Sequence, residues 1–396
     1  MVTWEFPPDA VGGVSAHVDA LTRAMARAGH DVVVLTIASN DREDDTIESG
    51  VRVLRAHIDL PWMPDDHEVG LAASANNQLV ALASRLSRML GTWRPDVVHH
   101  HDWRTAWAGD TLASLFRCPL VTTLHGTERG RHGGHVPVGT SEAVNSIENW
   151  IAWRADRVVC SSRFMVREVI DCFEIDGSRI VLIPNGVDPR EWAPGGQVSS
   201  DAVSTTTSTR SDDQGPLVLA WGRVQYEKGF QVLVQAMGIL RGRVPGVRCI
   251  IAGRGPYLAE LQSQIDIEGV SDVVNLAGYV PDDELRSLLH TAGCVVIPSL
   301  YEPFGIVALE AMAAGAPVVV SRTGGLAEIV DGTNAGLTFE PGQANDMARM
   351  VELVLTDDDT RQRLRTSSIE TLRNRYSWDA IASTTVEMYA GLITSR

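Results

Sequence analysis

The sequence predicts an α/β protein built from two doubly wound, parallel-sheet domains. Short apolar runs alternate with longer helical patterns along nearly all of the 396-residue chain. The runs are continuously apolar, as in strands buried on both faces, and the helices between them suit parallel crossover connections. A chain of this length can bury the cores of two domains of ordinary size.

Runs rich in β-branched residues predict the strands. In the first half of the chain they are DVVVLT, PDVVHH, PLVTTLH, DRVVCSS and RIVLIPN, and in the second half PLVLAWG, VRCIIAG, VVNLAG, CVVIPS and APVVVS. Helical patterns separate them, as expected of βαβ units. The polar patch SNDREDDTIESG, residues 39–50, is interpreted as a loop.

A polar segment predicts the boundary between the two domains. Residues 193–215, APGGQVSSDAVSTTTSTRSDDQG, are rich in Ser, Thr, Asp and Gly and nearly free of large apolar side chains. Because such a segment adds little to a core, it is interpreted as a linker or surface insertion. The predicted domains are therefore residues 1–192 and residues 216–375.

The composition argues against several classes of protein. The net charge of −16 disfavours nonspecific binding of nucleic acid, which needs a basic surface. No apolar run approaches the roughly 20 residues of a transmembrane helix, and the start MVTWEFPPDA lacks the pattern of a secretory signal. The five scattered cysteines show no CxxC spacing. We therefore expect a cytoplasmic protein with reduced thiols.

The basic residues predict an anion site in the second domain. Lys228 is the only lysine of the chain, and it stands with Arg223 in GRVQYEKGF, directly after the strand PLVLAWG. Both cations thus fall at the carboxyl edge of a parallel sheet, where open α/β folds bind ligands, and together they can neutralise a diphosphate. Chance is the other explanation for a single lysine. Arg254 in AGRGP is a further candidate, although that pattern equally fits a tight turn.

The stretch PSLYEPFGIVALEAMAAGAPVVVS, residues 298–321, predicts a strand, a loop, a helix and a strand. Glu302 and Glu310 would lie about 10 to 12 Å apart by helical rise. A glycoside hydrolase needs its two carboxylates about 5 to 9.5 Å apart, so we expect these two to touch different parts of one extended ligand. The backbone N–H groups of Phe304, Gly305 and Ile306 offer donors for a phosphate or sugar oxygen. Helix capping by Glu302 and solvation of Glu310 are the alternative.

Two glycines and a histidine are the candidates in the first domain. Gly12 and Gly13 in PDAVGGVSAHV precede a helix, so that bare backbone can approach an anion, although a plain turn fits the same letters. His125 in TLHGTERGRH ends a strand, a position suited either to an active-site edge or to a structural role.

The run HHHDW, residues 99–103, resembles a metal cluster but is not interpreted as one. Neighbouring residues of a strand point to opposite faces of the sheet, so His99, His100 and His101 cannot easily share one ion. No metal site is predicted.

Taken together, these motifs resemble the family 4 retaining glycosyltransferases of the GT-B fold, which has two Rossmann-like domains with a cleft between them. The resemblance covers essentially the whole chain, through WEFPPDAVGGVSAHV, DVVHHHDW, TLHGTE, IPNGVD, GRVQYEKG, AGRGP, GYVPDDEL, YEPFGIVALEAMAAGAPVV and TGGLAEIV. Within the family the chain most resembles the glycogen-synthase-like α-1,4-glucosyltransferases of actinobacteria, of the methylglucose lipopolysaccharide or glycogen type.

The resemblance implies roles for the residues around the nucleotide. Arg223 and Lys228 would hold the leaving diphosphate, and the Gly13 backbone would approach it. Glu310 would bind the ribose hydroxyls, and the segment around Val280 would meet the base through its backbone.

The resemblance also implies how the sugar is held and transferred. His125, Glu302 and the amides of residues 304–306 would hold the donor sugar, with Asn185 lining the same cleft. Transfer would proceed on the front face with retention, the departing phosphate helping to deprotonate the acceptor, and no metal would be required. His125 and Glu302 would then stabilise charge rather than act as nucleophile and base.

The resemblance further implies that residues 376–396 form a helix crossing back to the first domain. The start MVTWEF is short for the family's first strand and leaves an upstream start open. The donor is expected to be an ADP-, UDP- or GDP-sugar and the acceptor a glucan, oligosaccharide or glycolipid, in the cytoplasm or at the inner face of the membrane.

Three other functions stay open at this point. One is a mannosyltransferase or other hexosyltransferase acting on a lipid or small metabolite. The others are a sugar-nucleotide binding protein without transfer, against which both glutamates, Arg223 and Lys228 argue, and an epimerase of the same fold.

Overall fold

The computed structural model describes residues 1–8, 12–38, 44–58, 67–91, 93–193 and 215–395. The chain forms two compact units, one of Met1–Gly186 with Trp378–Arg396 and one of Val187–Ser377. The sequence predicts the first boundary at residue 192, six residues later, because the polar segment begins at residue 193. In the structure the backbone N–H of Val187 already donates to the carbonyl of Tyr376, within the second unit. Residues 194–214, nearly all of the predicted linker, lie outside the described residues.

The first unit contains strands, helices and one returning C-terminal helix. Its strands are β1 (Val33–Ile37), β2 (Asp44–Glu48), β3 (Val51–Ala56), β4 (Val98–His101), β5 (Leu120–Leu124), β6 (Arg157–Cys160) and β7 (Ile180–Leu182). Its helices are α1 (Gly13–Arg27), α2 (Glu68–Met89), α3 (Ala106–Phe116), α4 (Glu128–Arg131), α5 (Thr140–Arg154), α6 (Arg163–Phe173) and, from the end of the chain, α15 (Trp378–Thr394).

The first three residues join the strands of this unit into one sheet. Strands β4, β5, β6 and β7 pair in parallel in that order, and β1 pairs in parallel with β3. Val2 bridges in parallel to Leu35 of β1 and to His100 of β4. The N-terminal segment therefore lies between the two groups of strands, and the sheet is built outward on both sides of it. This is the doubly wound arrangement that the sequence predicts.

The sequence predicted a loop for the polar patch at residues 39–50, but part of this patch forms a strand. Strand β2 occupies Asp44–Glu48 and pairs antiparallel with β3, another strand that the pattern did not predict. Arg55 of β3 is buried and lies 2.9 Å from Glu48, and Arg52 lies 2.8 Å from Asp45. Because an edge strand can keep one face in water, its polar sequence gave no apolar run to detect.

Helix α15 packs on α1 through one apolar face. Trp378, Ile381 and Leu392 are buried in the same cluster as Val18 and Leu21 of α1. The ring of Trp378 also covers Gly186, where an added Cβ would stand 2.8 Å from the indole. The end of the chain is thus a structural part of the first unit.

The second unit is a six-stranded parallel sheet between helices. Its strands are β8 (Leu217–Trp221), β9 (Arg248–Ala252), β10 (Val274–Gly278), β11 (Cys294–Ile297), β12 (Val318–Ser321) and β13 (Leu337–Phe339), in the spatial order β10-β9-β8-β11-β12-β13. Its helices are α7 (Pro189–Trp192), α8 (Phe230–Arg241), α9 (Leu258–Glu268), α10 (Asp282–Thr291), α11 (Ile306–Ala313), α12 (Gly324–Val330), α13 (Ala344–Thr356) and α14 (Asp358–Arg375).

The strand order places a switch point between β8 and β11. The chain moves outward from β8 through β9 to β10, then returns to the other side of β8 at β11 and continues outward to β13. The loops that follow β8 and β11 leave this point in opposite directions, and the crevice between them is where doubly wound sheets bind ligands. The α/β fold class predicted from the sequence is confirmed in both units.

Among the described residues no helix has the length and apolar character needed to cross a bilayer. The five cysteines, all of them described, are free thiols.

Removal of the Trp378 side chain tests the contribution of α15. Trp→Ala substitutions in a packed core cost about 3 to 5 kcal/mol of unfolding free energy, so Trp378→Ala is expected to lower the Tm of the first unit by about 6 to 20 °C. Differential scanning calorimetry measures this. Thr384→Ala, at an exposed position of the same helix, is the control, and equal Tm values for the two variants would contradict the packing role.

Candidate functional site

Lys228 and Glu302 form an ion pair at the switch point of the second unit. Lys228 Nζ lies 2.9 Å from Glu302 Oε2, and the two side chains are 28% and 13% exposed. The hydroxyl of Ser299 donates to the same carboxylate oxygen over 3.1 Å. The sequence predicted both residues as ligand contacts but did not predict that they contact each other.

The backbone around Gly229 explains why these two side chains meet. Residues Tyr226–Lys228 form one 3-10 turn, which ends at Gly229 with φ at 70°. An added Cβ at Gly229 would stand 1.9 Å from the carbonyl oxygen of Pro298, so only glycine allows the two loops to approach this closely. The N–H of Leu300 then donates to the carbonyl of Glu227 over 2.7 Å. Glycine at 229 therefore holds the lysine beside the glutamate loop.

Arg223 and Arg254 lie on neighbouring loops of the same sheet edge. Strands β8 and β9 are parallel neighbours, and beyond their ends the N–H of Val224 donates to the carbonyl of Arg254 over 2.8 Å. Both arginines are exposed. The guanidinium of Arg254 stacks on the ring of Tyr279, 5.4 Å from its centroid. Both arginines are thus presented to solvent at the carboxyl ends of β8 and β9, the sheet edge where Lys228 also lies.

Glu310 lies on α11 in an environment that favours its protonated form. Burial raises the pKa of its carboxyl to about 7, and the negative charges of Asp282 and Glu191 add to the shift, while a hydrogen bond with Trp221 opposes it. Trp221 ends β8, and Asp282 begins α10. Sequence reasoning missed Trp221, and its position one residue before the GRVQYEKG motif was the signal available.

The start of α11 presents free backbone donors. Gly305 precedes the helix with φ at 103°, and an added Cβ there would stand 2.4 Å from Leu326, so glycine is required. Phe304 is buried beside it, and Ile306 is the first helical residue. The first N–H groups of any α-helix lack partners within the helix, so this turn can donate to an anionic or hydroxylic ligand. Val280, after β10, is partly buried against the core that contains α11.

In the first unit, His125 follows β5 and contacts His101 at the end of β4. Their Nε2 and Nδ1 atoms lie 3.1 Å apart and share a hydrogen bond. The backbone N–H of His125 donates to Asp102 Oδ1 over 2.8 Å, which fixes the segment to the neighbouring loop. Burial and the positive charge of Arg131 lower the pKa of His125 to about 4. His125 is therefore a neutral imidazole at neutral pH, able to donate or accept a hydrogen bond.

His17 and Asn185 complete a buried group around His125. His17 lies on α1, and its ring centroid is 4.9 Å from that of His125 and 5.4 Å from that of Trp378. Burial lowers the pKa of His17, and the side chain of Asn185 hydrogen-bonds to it. Sequence reasoning named Asn185 and His125 but missed His17, which stands four residues after Gly13 in GGVSAHV.

Gly12 and Gly13 stand at the start of α1. Both are exposed, and an added Cβ at Gly12 would meet nothing within 4 Å. The predicted backbone approach to an anion is therefore sterically open at Gly12, and the contact itself stays a prediction for both residues.

The three consecutive histidines are divided as strand alternation requires. The rings of His99 and His101 stack with centroids 4.6 Å apart on one side of the sheet. His100 faces the other side, where it packs against Gly109 of α3. The ring of His99 is held by Thr123 and Tyr389, at 2.6 and 2.5 Å.

Comparison with known families identifies both halves of the chain. A family model described as glycosyltransferase family 4 matches residues 11–191, and one described as glycosyl transferases group 1 matches residues 205–371. The two matches cover the histidine group of the first unit and the Lys228 and Glu310 groups of the second.

Two curated relatives match the chain over nearly its full length. The glycogen synthase of Mycobacterium tuberculosis is 35% identical over 98% of this chain and 93% of its own. The alpha-maltose-1-phosphate synthase of Mycolicibacterium smegmatis is 30% identical over 98% of both chains.

A solved structure matches the fold. The sucrose-phosphate synthase of Thermosynechococcus elongatus superposes with a TM-score of 0.79, over 100% of this chain and 99% of its own. At 23% identity this likeness establishes the fold alone, and it agrees with the GT-B fold predicted from the sequence.

Glu310 makes the stability of the protein depend on pH in a defined direction. Because the pKa of its carboxyl is about 7 in the folded protein and 4.5 ordinarily, the folded state keeps a proton that the unfolded state loses. The contribution of Glu310 to stability therefore falls as pH rises from about 5 to about 8, whereas glutamine does not titrate. We expect the Tm of Glu310→Gln, minus that of the wild type, to grow across this range in thermal melts.

Glu260→Gln is the control for this experiment, because Glu260 is an exposed residue of α9. Its Tm difference from the wild type is expected to stay flat across the same pH range. A flat difference for Glu310→Gln as well would contradict the raised pKa.

Proposed function

The chain belongs to the family 4 and group 1 glycosyltransferases, and on this premise we propose that it transfers glucose from a nucleotide diphosphate sugar to an α-glucan with retention of configuration. The relative at 35% identity is a glycogen synthase, which supports glucose and a glucan as the transferred sugar and the acceptor. The observation that carries the proposal is the ion pair of Lys228 with Glu302 at the switch point of the second unit.

The second unit supplies the charges that a leaving diphosphate requires. Lys228 is held in place by Glu302, and the exposed Arg223 and Arg254 stand on the loops beside it. Cations fixed before the reaction stabilise charge that develops on the leaving group without having to reorganise. We assign the diphosphate to Lys228 and Arg223, with Arg254 beside them, and Glu310 to the ribose hydroxyls.

The environment of Glu310 suits a hydroxyl ligand. A carboxyl whose pKa is about 7 exists in both forms near neutral pH, and it can donate to or accept from a hydroxyl. The amides of Phe304, Gly305 and Ile306 are assigned to donor oxygen atoms, and the backbone near Val280 to the base. The donor base itself is left open among adenine, uracil and guanine.

The first unit supplies neutral groups for the sugar and its acceptor. His125 is neutral, and its hydrogen bond to His101 orients the ring. A neutral imidazole can bind a hydroxyl without attracting a negatively charged group that belongs elsewhere. We assign His125 to the donor sugar, with Asn185 nearby, and the backbone of Gly12 and Gly13 to the diphosphate. The departing phosphate then accepts the acceptor's proton, so no side chain serves as the base and no metal is required.

The free thiols agree with a reducing compartment, and we place the reaction in the cytoplasm. A peripheral position at the membrane's inner face is part of the same proposal only for a lipid-linked acceptor.

A donor and acceptor screen tests the reaction. Purified protein is incubated with ADP-, UDP- and GDP-glucose and with maltooligosaccharide or glycogen, and nucleotide release is measured with chelator present. Release that depends on both donor and glucan, with an α-linked product by NMR, is expected. Donor binding without consumption would instead indicate a binding protein and would contradict transfer. Consumption only with glucose 1-phosphate would replace the glucan by a sugar phosphate, the acceptor from which maltose 1-phosphate forms.

Lys228→Arg is the sharpest test of the diphosphate site. The planar guanidinium fork cannot take the place of a compact ammonium that is held 2.9 Å from Glu302. We expect kcat to fall at least tenfold in Lys228→Arg and about 10²- to 10³-fold in Lys228→Ala, the range measured when a preorganised donor is removed.

Arg243→Lys provides the matched control, because Arg243 forms an exposed ion pair with Glu352 at 3.2 Å on the same unit. Its kcat is expected to equal that of the wild type. A Lys228→Arg enzyme with unchanged kcat would contradict the assignment of the diphosphate to this lysine.

A further inference from the structure

We propose that His17, His101 and His125 form a binding site for a divalent transition-metal ion, with Zn²⁺ as the best match. One ring nitrogen of each histidine lies within 4.8 Å of the corresponding nitrogens of the other two. All three belong to the first unit, on α1, at the end of β4 and after β5. Of the three consecutive histidines at positions 99–101, the site uses His101 alone.

The distances suit a four-coordinate ion. Zinc binds imidazole nitrogen at about 2.0 to 2.1 Å, so tetrahedral ligands stand about 3.3 Å apart. His101 Nδ1 and His125 Nε2 already meet this spacing at 3.1 Å. Coordination would break the hydrogen bond between them, and its proton would move to the outer nitrogen of the same ring. The remaining separations, at 4.8 Å or less, require shifts of about 1.5 Å or less, which small side-chain rotations can provide.

Two of the rings carry nitrogen atoms without partners. His17 Nδ1 and His101 Nε2 are buried and make no hydrogen bond in the part of the chain that the structure describes. Their side chains are nearly inaccessible, since the two residues are 4% and 1% exposed. A buried polar atom left unpaired destabilises the folded protein. A bound ion would give His17 Nδ1 a partner, whereas on His101 the nitrogen that faces His125 is Nδ1 and the unpaired one is Nε2.

The donor set selects the kind of ion. The group consists of imidazoles alone. Neutral imidazole suits zinc, nickel, cobalt and copper, whereas magnesium and calcium need oxygen ligands. Three protein ligands leave one coordination position open to water.

A bound ion would also inhibit transfer, a consequence that rests on the proposed function. Coordination engages a ring nitrogen of His125, the residue assigned to the donor sugar. The chain would then bind the ion and the donor in competition, and a chelator would raise rather than lower activity in a preparation that contains zinc.

Metal binding to the full chain is the direct test. Isothermal titration of the metal-free protein with Zn²⁺ is expected to show one high-affinity site per chain, and Mg²⁺ is expected to show none. His17→Gln and His101→Gln should each weaken zinc binding at least tenfold. Binding of no zinc by the wild type, or unchanged affinity in both variants, would overturn the proposal.

The pair of the half-buried His132 and the exposed His135, whose ring centroids are 6.2 Å apart, provides a matched control. A double His132→Gln and His135→Gln protein should bind zinc as the wild type does. Loss of the site in this control would mean that zinc binds at the surface and that the buried site is wrong.

Two further readouts keep the test independent of activity and of misfolding. Cobalt bound at the buried site should give the intense visible absorption of four-coordinate Co²⁺, which the double control retains and His101→Gln loses. Zinc should raise the Tm of the wild type but not of His17→Gln, and the melting curve itself shows whether that variant folds. A wild-type cobalt spectrum of six-coordinate type would count against the site.

The inhibition is tested separately. If zinc binds as expected but the initial rate is unchanged, only the competition with donor is contradicted. If no donor is consumed under any condition, the proposed function fails while the titration still decides the metal site.

Discussion

The close approach of the loops after β8 and β11 is the constraint on which the second unit's site depends. Glycine at position 229 lets the backbone reach Pro298, and the Glu227 carbonyl then accepts from Leu300. Lys228 is brought to Glu302 by this approach, across 74 residues of sequence. The ion pair orients the ammonium, yet 28% of the side chain stays exposed. A diphosphate can therefore share the lysine with the carboxylate, and the pair restricts the lysine to useful orientations beforehand.

The two units use the same sheet geometry for opposite electrostatic purposes. In the second unit, cations stand exposed at strand ends, where they can meet an anion. In the first unit, the strand ends carry histidines that burial keeps neutral, such as His101 and His125. An acidic chain of net charge −16 cannot attract a nucleotide through its overall field. On the proposed function, the local concentration of Arg223, Lys228 and Arg254 would serve instead, while neutral imidazoles would bind hydroxyls without competing for the phosphates.

The sequence predicted the fold class, the positions of most strands along the chain and the loops that carry the cations, because apolar runs and glycine motifs are local signals. It did not predict the contact of Lys228 with Glu302 or the hydrogen bond of Trp221 with Glu310. Such pairs depend on which strands become neighbours and on loop conformation. The histidine group shows the same limit. Alternation along β4 correctly predicted that its neighbouring rings face opposite sides of the sheet, but only the folded chain brings His17 of α1 to His101. The edge strand β2 was not predicted because its sequence is polar.

The raised pKa of Glu310 connects ligand binding to protons. Burial and the charges of Asp282 and Glu191 hold the carboxyl near half ionisation at neutral pH. Hydroxyl groups that donate to a carboxylate favour its ionised form and lower its pKa. A ribose that donates two hydrogen bonds here would therefore displace a proton, and donor affinity would rise with pH until Glu310 is fully ionised in the free protein. A carboxylate already ionised in water would gain less from the same contact, because it would first have to give up its hydration. On the proposed function, the partly buried position of Glu310 would thus make the proton, rather than water, the species that the donor replaces.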